Sequence, residues 1–418
     1  MWRFALVLLV ACGADAVDRL DESSSSDAAP AGEDAPTVAT AWVAKVSPLT
    51  DQHRAVPGAM FGGWGPHLGH LVQAGGATYW VDDLCTATVP GDCDVNVNRR
   101  VGVFRHDPEG WRKLATIPLA GIQQNTAAIA DADRLFVYGI ASGAQRVIEC
   151  SYALTSGAQS CTTIPISTGT FANYIGAAIV GAARVVWWTN VVDGGGGSFS
   201  YIVNYGGGWN GPRTGPVGGY NDCGYAHVAM RPDGKLETFC QVVSGLAPNW
   251  TFATLVGTAP ASLAAPAVWN AGLAPLPGDP IISTNDLVVD SAGTSHLLAR
   301  SQQGAAVYYA KSPGGGYAPM SELPATYRAR WLVAGDRVAL ARDVERSRLV
   351  VGISPPAPSS MSIADWESVE VALPELGDIY AIYPLATAYQ RVQPDRFELV
   401  VVGSADEHRA VHVAITRE

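Results

Sequence analysis

Apolar residues along most of this chain come in short runs rich in Val, Ile, Tyr, Trp and Phe, separated by clusters of Gly, Pro and Asp. Helical spacing is scarce, so the pattern predicts strands joined by turns, an all-β chain. The runs recur in a fixed order. Val101 to Phe104 leads into a Gly110-Trp111 turn, a strand ending near Pro118, an Ala-rich strand Ala127 to Ala130, a polar turn, and a strand Arg134 to Tyr138. The order returns as Phe199 to Asn204, Gly208-Trp209, Pro212, Ala226 to Met230, Asp233-Gly234 and Lys235 to Phe239. It appears again as Ala306 to Ala310, Gly316-Tyr317, Pro319, Trp331 to Ala334, Gly335-Asp336 and Arg337 to Ala341. Seven starts, near Val101, Val147, Phe199, Trp250, Ala305, Leu349 and Ala410, recur at about fifty residues, and four-stranded units at such a period predict a seven-bladed β-propeller. The competing all-β arrangement is a pair of β-sandwiches.

The last start carries a further expectation. Ala410 to Ile415 opens a unit that is not completed, while His70 to Trp80 reads as the second half of a unit whose beginning is missing. The C-terminal strand is therefore expected to pair with the N-terminal segment in one blade, closing the ring and hiding sheet edges that would otherwise invite association.

The stretch Tyr308-Tyr309-Ala310-Lys311-Ser312-Pro313-Gly314-Gly315-Gly316-Tyr317 resembles the repeat of BNR-like and sialidase-like propellers. In general form the resemblance extends over residues 60 to 418. An Asp-box of that family would place Asp two residues after Ser and Trp at the aromatic position; here Pro313 and Gly314 follow Ser312, and Tyr317 stands where Trp is expected. Neither a Phe-Arg-Ile-Pro segment nor a recognisable arginine triad is present, so the resemblance implies the fold without the sialidase chemistry.

The N-terminus is built differently. Arg3 precedes the apolar run Phe4 to Ala11, which would rise only ~12 Å as a helix against a hydrocarbon core of ~30 Å, so it predicts a signal sequence over residues 1–11 rather than a membrane span. Leu9-Val10-Ala11-Cys12 resembles the lipobox of bacterial lipoproteins. That resemblance implies diacylation of Cys12 and, with Gly13 rather than Asp following, an outer-membrane address; an ordinary signal peptide with a chance cysteine is the alternative. Residues 12–37 carry four consecutive serines, Ser23 to Ser26, and seven acids against the single base Arg19. Such a segment buries too little apolar surface to offset its ordering entropy and is expected to be a disordered tether, with residues 38–418 forming the propeller.

Composition narrows the function classes. Charged residues make up 16% and hydrophobic ones 48% of the chain, a balance that suits a packed domain rather than a disordered one. The formal net charge of -11 argues against a nucleic-acid partner, since phosphate contacts need Lys and Arg. With Cys12 assigned to lipid, six cysteines remain, and neighbouring pairs bracket turn signals: Val89-Pro90-Gly91, Ser156-Gly157 and Pro232-Asp233-Gly234. Hairpin-bridging disulfides Cys85–Cys93, Cys150–Cys161 and Cys223–Cys240 are expected, as an exported chain permits. No CxxC pair suggests zinc.

Candidate chemistry is sparse. If the Ala-rich strand is innermost, His70 and His227 occupy equivalent positions of two blades near the central channel, which makes both ligand-binding candidates. Tyr225 and His227, two apart on a strand, share one face and could act as proton donor and acceptor in a β-elimination, as in a polysaccharide lyase. A structural strand with a half-buried Tyr and a satisfied His is the preferred reading of that pair. Asp92, Asp94 and Asn96 alternate like the start of a calcium loop but lack its Gly and Glu, so an exposed strand face explains them equally. His67 and His70 lie three apart without further zinc ligands, Gly194 to Gly197 lacks the Lys-Ser/Thr of a phosphate loop, and no Gly-x-Ser-x-Gly elbow occurs. No cofactor is expected. Trp111, Trp209 and Tyr317 fall at repeat positions, where packing between blades is their expected task. Together these readings predict a monomeric, lipid-anchored binding or scaffold propeller for a glycan or protein, outside the cytoplasm. The alternative is a carbohydrate-active enzyme, a polysaccharide lyase or glycosidase, using Tyr225 and His227.

Overall fold

In the computed structural model the chain divides into two units, Met1–Thr40 and Ala41–Glu418. The structure describes residues 41–49, 70–85, 99–117, 119, 126–141, 146–167, 172–191, 197–214, 226–244, 247–255, 269–272, 276, 281–301, 305–323, 328–356, 362–385, 395–403 and 410–418. These form 28 strands in seven four-stranded antiparallel sheets, with two single-turn 3-10 segments, Ile363–Asp365 and Pro374–Leu376.

Strand β1 (Trp42–Pro48) precedes the first sheet. That sheet holds β2 (Leu71–Ala74), β3 (Ala77–Cys85), β4 (Arg99–Asp107) and β5 (Gly110–Ile117). The second holds β6 (Ala127–Ala130), β7 (Arg134–Ala141), β8 (Arg146–Ala153) and β9 (Gln159–Ser167), and the third β10 (Ala172–Val180), β11 (Ala183–Val191), β12 (Gly197–Asn204) and β13 (Trp209–Thr214). The fourth is β14 (Ala226–Met230), β15 (Leu236–Ser244), β16 (Ala247–Leu255) and β17 (Trp269–Gly272). The fifth is β18 (Ile281–Val289), β19 (Ser295–Ser301), β20 (Ala306–Lys311) and β21 (Ala318–Leu323). The sixth is β22 (Ala329–Ala334), β23 (Arg337–Val344), β24 (Arg348–Ile353) and β25 (Glu367–Ala372). In the seventh, β26 (Ile379–Pro384), β27 (Arg396–Gly403) and β28 (Ala410–Arg417) are completed by β1, which pairs with β28 from Trp42↔Arg417 to Pro48↔Val411.

Within each sheet strands that follow one another in the chain pair antiparallel. Gly75 and Gly76 make the two-residue turn between β2 and β3 with φ of 54° and 77°, a geometry that right-twisted hairpins favour and that glycine adopts without strain. Strands such as β6 and β20 read as near-continuous apolar runs because both faces are covered, whereas β1, β21 and β25 carry exposed positions. Trp80, Phe104 and Trp111 of the first sheet pack with Tyr383, Val400 and Val402 of the seventh. Phe136 and Tyr138 of the second meet Val186, Trp188 and Ile202 of the third, and Leu332, Ala339 and Val351 of the sixth meet Ile382, Leu399 and Val413 of the seventh. First strands of neighbouring sheets touch, β2 with β6, β6 with β10, β14 with β18, β18 with β22 and β22 with β26, and a parallel bridge joins Leu71 to Leu385. The first strands therefore form the inner edge of the sheet array.

The predicted strands Ala127 to Ala130 and Ala226 to Met230 coincide with β6 and β14, and the seven predicted starts each fall in or beside the third strand of a different sheet. One expectation needs correction. His70 to Trp80 does not share a sheet with the C-terminal strand but supplies β2 and the first half of β3; the expected pairing of the C-terminal strand with the N-terminal segment is made by Trp42–Pro48. The units read from the sequence thus straddle two sheets, because a period fixes spacing but not phase. Trp111, Trp209 and Tyr317 do pack between sheets: Trp209 lies edge-on to Tyr138, and Tyr317 edge-on to Phe239, each at 5.8 Å between centroids.

Cys150 and Cys161 form a disulfide between directly opposed residues of β8 and β9, their Cα atoms 4.1 Å apart. Cys93 and Cys223 lie outside the described residues, and with them the pairings Cys85–Cys93 and Cys223–Cys240; so do Cys12, Asp92, Asp94, Asn96, His67 and Tyr225.

Gly403, at the end of β27, abuts the turn Pro374–Leu376, and a Cβ there would overlap the Leu376 carbonyl. Backbone cannot retract as a side-chain tip can. Gly403→Ala is expected to cost about 1–3 kcal/mol, the range for overpacked sites, read as a lower urea midpoint at unchanged slope.

Candidate functional site

Five of the seven sheets carry a buried polar side chain on or just ahead of the first strand, four or five residues before its turn: His70, Thr126, His227, Asp286 and Arg330. Among the described residues these side chains bring polar groups to the first strands, which form the inner edge, and together they make a polar belt. His70 lies just ahead of the first strand of the first sheet, and His227 lies within the first strand of the fourth.

His70 shows how the belt is set. Its Nδ1 lies 2.7 Å from the Val81 carbonyl oxygen and 3.8 Å from Asp82 Oδ1. A carbonyl only accepts, so Nδ1 carries a proton, which leaves Nε2 as the ring's second polar atom. That Nε2 is buried and has no hydrogen-bond partner among the described residues, and the same holds for Thr126 Oγ1 on the adjoining sheet. Each such atom costs about 1–3 kcal/mol of unmet hydrogen bonding, which a bound polar group would recover. Aromatic rings flank the imidazole: Trp80 at 5.5 Å and Tyr383 at 4.9 Å between centroids.

Across the fifth and sixth sheets the belt is charged. Asp286 accepts from Leu287 N at 2.9 Å and, across the sheet boundary, from Trp331 N at 2.7 Å. Burial pushes its carboxyl up to about 7, against the opposing pull of Arg330 and the two N–H groups. Arg330 donates from Nη1 to the Ala329 carbonyl at 2.7 Å. Burial lowers its affinity for a proton, while the charges of Asp286, Tyr383 and Asp343 act the other way. A carboxyl, a guanidinium, a phenol and an imidazole thus run from Asp286 through Arg330 and Tyr383 to His70.

The sequence brought His70 and His227 to notice but not Arg330 or Tyr383. Tyr383 lies on β26, a strand with no Ala-rich signature, and Arg330 sits one residue ahead of the predicted strand Trp331 to Ala334.

No protein-family description matches the chain, and no curated protein sequence does. Among solved structures, the polysaccharide lyase Uly1 has a TM-score of 0.59 at 11% identity, over 89% of this chain and 99% of that one. An ulvan lyase of a new polysaccharide lyase family, bound to a saccharide of GlcA and Rha units, gives 0.54 at 10% identity, over 86% of this chain and 94% of its own. A neuraminidase-like protein from a flat-faced bat virus gives 0.43 at 11% identity, over 91% and 94%. This chain has the fold of the two lyases.

Proposed function

We infer that residues 41–418 form a closed seven-bladed propeller that binds a glycan at the polar belt of its inner strands. The carrying observation is the belt itself, with His70 Nε2 and Thr126 Oγ1 buried and unmatched among the described residues. Sugar hydroxyls donate and accept in the pattern these atoms require, and Trp80 and Tyr383 offer apolar ring faces beside them. The saccharide in the ulvan lyase structure supports a carbohydrate as the ligand class. On this reading the leader directs export, Cys12 is acylated, residues 12–37 space a monomeric domain from the outer membrane, and neither nucleic acid nor cofactor is involved.

A second reading is favoured by the contact of Tyr383 with His70 and the charge of Arg330 beside Tyr383. In a uronate, His70 Nε2 would take the C5 proton and Tyr383 would protonate the leaving O4 as the C4–O4 bond breaks, while Arg330 neutralises the carboxylate; the product carries a C4=C5 double bond. The pair Tyr225 and His227 remains the same proposal at the fourth sheet, where Tyr225 lies outside the described residues.

The test is a polysaccharide panel against the full chain and its His70→Ala variant. Binding weakened at least about tenfold in the variant, with an unchanged circular dichroism spectrum, supports the belt, tenfold being about the value of one hydrogen bond to a matched polar group. Ultraviolet absorbance from unsaturated sugar that is lost in His70→Ala supports the lyase. Binding unaffected in His70→Ala would refute both roles of this residue.

A further inference from the structure

The seventh and first sheets meet through a second polar group, distinct from the belt. Glu398 of β27 is buried and takes four donors: His412 Nε2 at 3.0 Å and Thr78 Oγ1 at 3.1 Å on one oxygen, Arg396 Nε at 2.6 Å and Gln73 Nε2 at 3.4 Å on the other. Thr78 and Gln73 belong to the first sheet, so the carboxylate ties the two sheets together. Beyond it, the rings of His412, His106 and Trp111 pack mutually, 5.0 Å between the imidazoles, 5.2 Å from His412 to Trp111 and 5.1 Å from His106 to Trp111.

Every charged group facing this cluster has a known sign. Arg396 and Lys45 are positive and Glu398 is negative, and all three act electrostatically on His106. Asp107, next to His106, is already engaged by Arg105 at 2.9 Å and by Arg112 at 3.0 Å. Before either imidazole gains a proton, two cations therefore face one available carboxylate. A proton on His106 would place a third positive charge against His412, in a site where burial already penalises charge.

We propose that His106, packed on the rings of His412 and Trp111, forms an acid-sensitive latch on the seam between the seventh and first sheets, which loosens β1, β28, β4 and β5 when its imidazole takes up a proton. Burial, followed by the neighbouring His412, lowers the proton affinity of His106 below the ordinary imidazole value. A group depressed in the folded state binds its proton more readily once released, so the seam is firm above the unfolded value of about 6.5 and weakens as pH falls below it. The same boundary holds the His70 and Tyr383 contact, so the latch also bears on the belt, although it does not rest on the glycan reading.

Hydrogen exchange of the full chain at about pH 8 and about pH 5.5, corrected for intrinsic rates, tests this. Protection in β1, β28, β4 and β5 should fall at least about tenfold further on acidification than in the third sheet, whose described strands contain no histidine. In His106→Gln that difference should vanish. Equal loss in both regions, or a difference that survives in His106→Gln, would overturn the latch. Should the variant fail to fold, the imidazole resonances of the unaltered protein decide: His106 titrating at or above the ordinary value overturns it, and below it supports it.

Discussion

A chain beginning at Thr50, and so lacking β1, should melt on the order of 5 °C below the full chain. Trp42 is buried against Phe397 at 5.5 Å between centroids, and β1 adds seven paired residues to β28. Loss of a buried Trp costs about 3–5 kcal/mol, and a domain spanning 41–418 shifts by roughly 1 °C for each kcal/mol. Removal also bares β28 as an edge strand for pairing with other chains, so concentration-dependent aggregation should accompany the lower midpoint. Scanning calorimetry with light scattering reads both, and an unchanged melting temperature would contradict the role of β1 in completing the seventh sheet.

Glu398→Ala is expected to destabilise by about 3–5 kcal/mol in urea titrations, the range for removing one partner of a buried charged group. The variant leaves His412, Arg396, Thr78 and Gln73 without their shared acceptor. Burial alone would raise this carboxyl, but the hydrogen bond and charge of His412, then Arg396 and Thr78, hold it at about 2 against an ordinary 4.5. A depressed folded value contributes stability that is present above the unfolded value and is lost as pH falls toward the folded one. The unaltered protein should therefore lose roughly 3 kcal/mol between about pH 4.5 and about pH 2 through this group. In Glu398→Gln that loss should disappear, and an identical acid profile in the variant would show that Glu398 does not carry it.

Spacing made the strands legible, and side-chain chemistry hid the site. Apolar runs between Gly, Pro and Asp turns located β6, β12, β14, β20 and β23 because both faces of each strand are buried and each turn needs its own residue types. The phase was not legible, since the connection between sheets and the connection within a sheet are both polar loops. β1 was missed because Lys45, Ser47 and Pro48 interrupt its apolar residues. His70 and His227 stood out as histidines on a recurring strand, whereas Arg330, Tyr383 and Glu398 acquire their meaning only from partners far along the chain. The Glu398 to Thr78 bond spans 320 residues, and no local pattern encodes such a pair.

The pairing of the two chain ends also decides how the fold meets mechanical force. The ladder of β1 and β28 is extended by bonds of 2.9 and 3.0 Å between Ala41 and Glu418, so a pull on the chain ahead of Ala41 enters the fold at the outermost rung. Drawn along the strand axis, the rungs resist together in shear; drawn outward, they open in succession, beginning at Trp42. Tension applied ahead of Ala41 would therefore detach β1 before it reached the inner strands, and the strand that completes the last sheet doubles as the molecule's mechanical fuse.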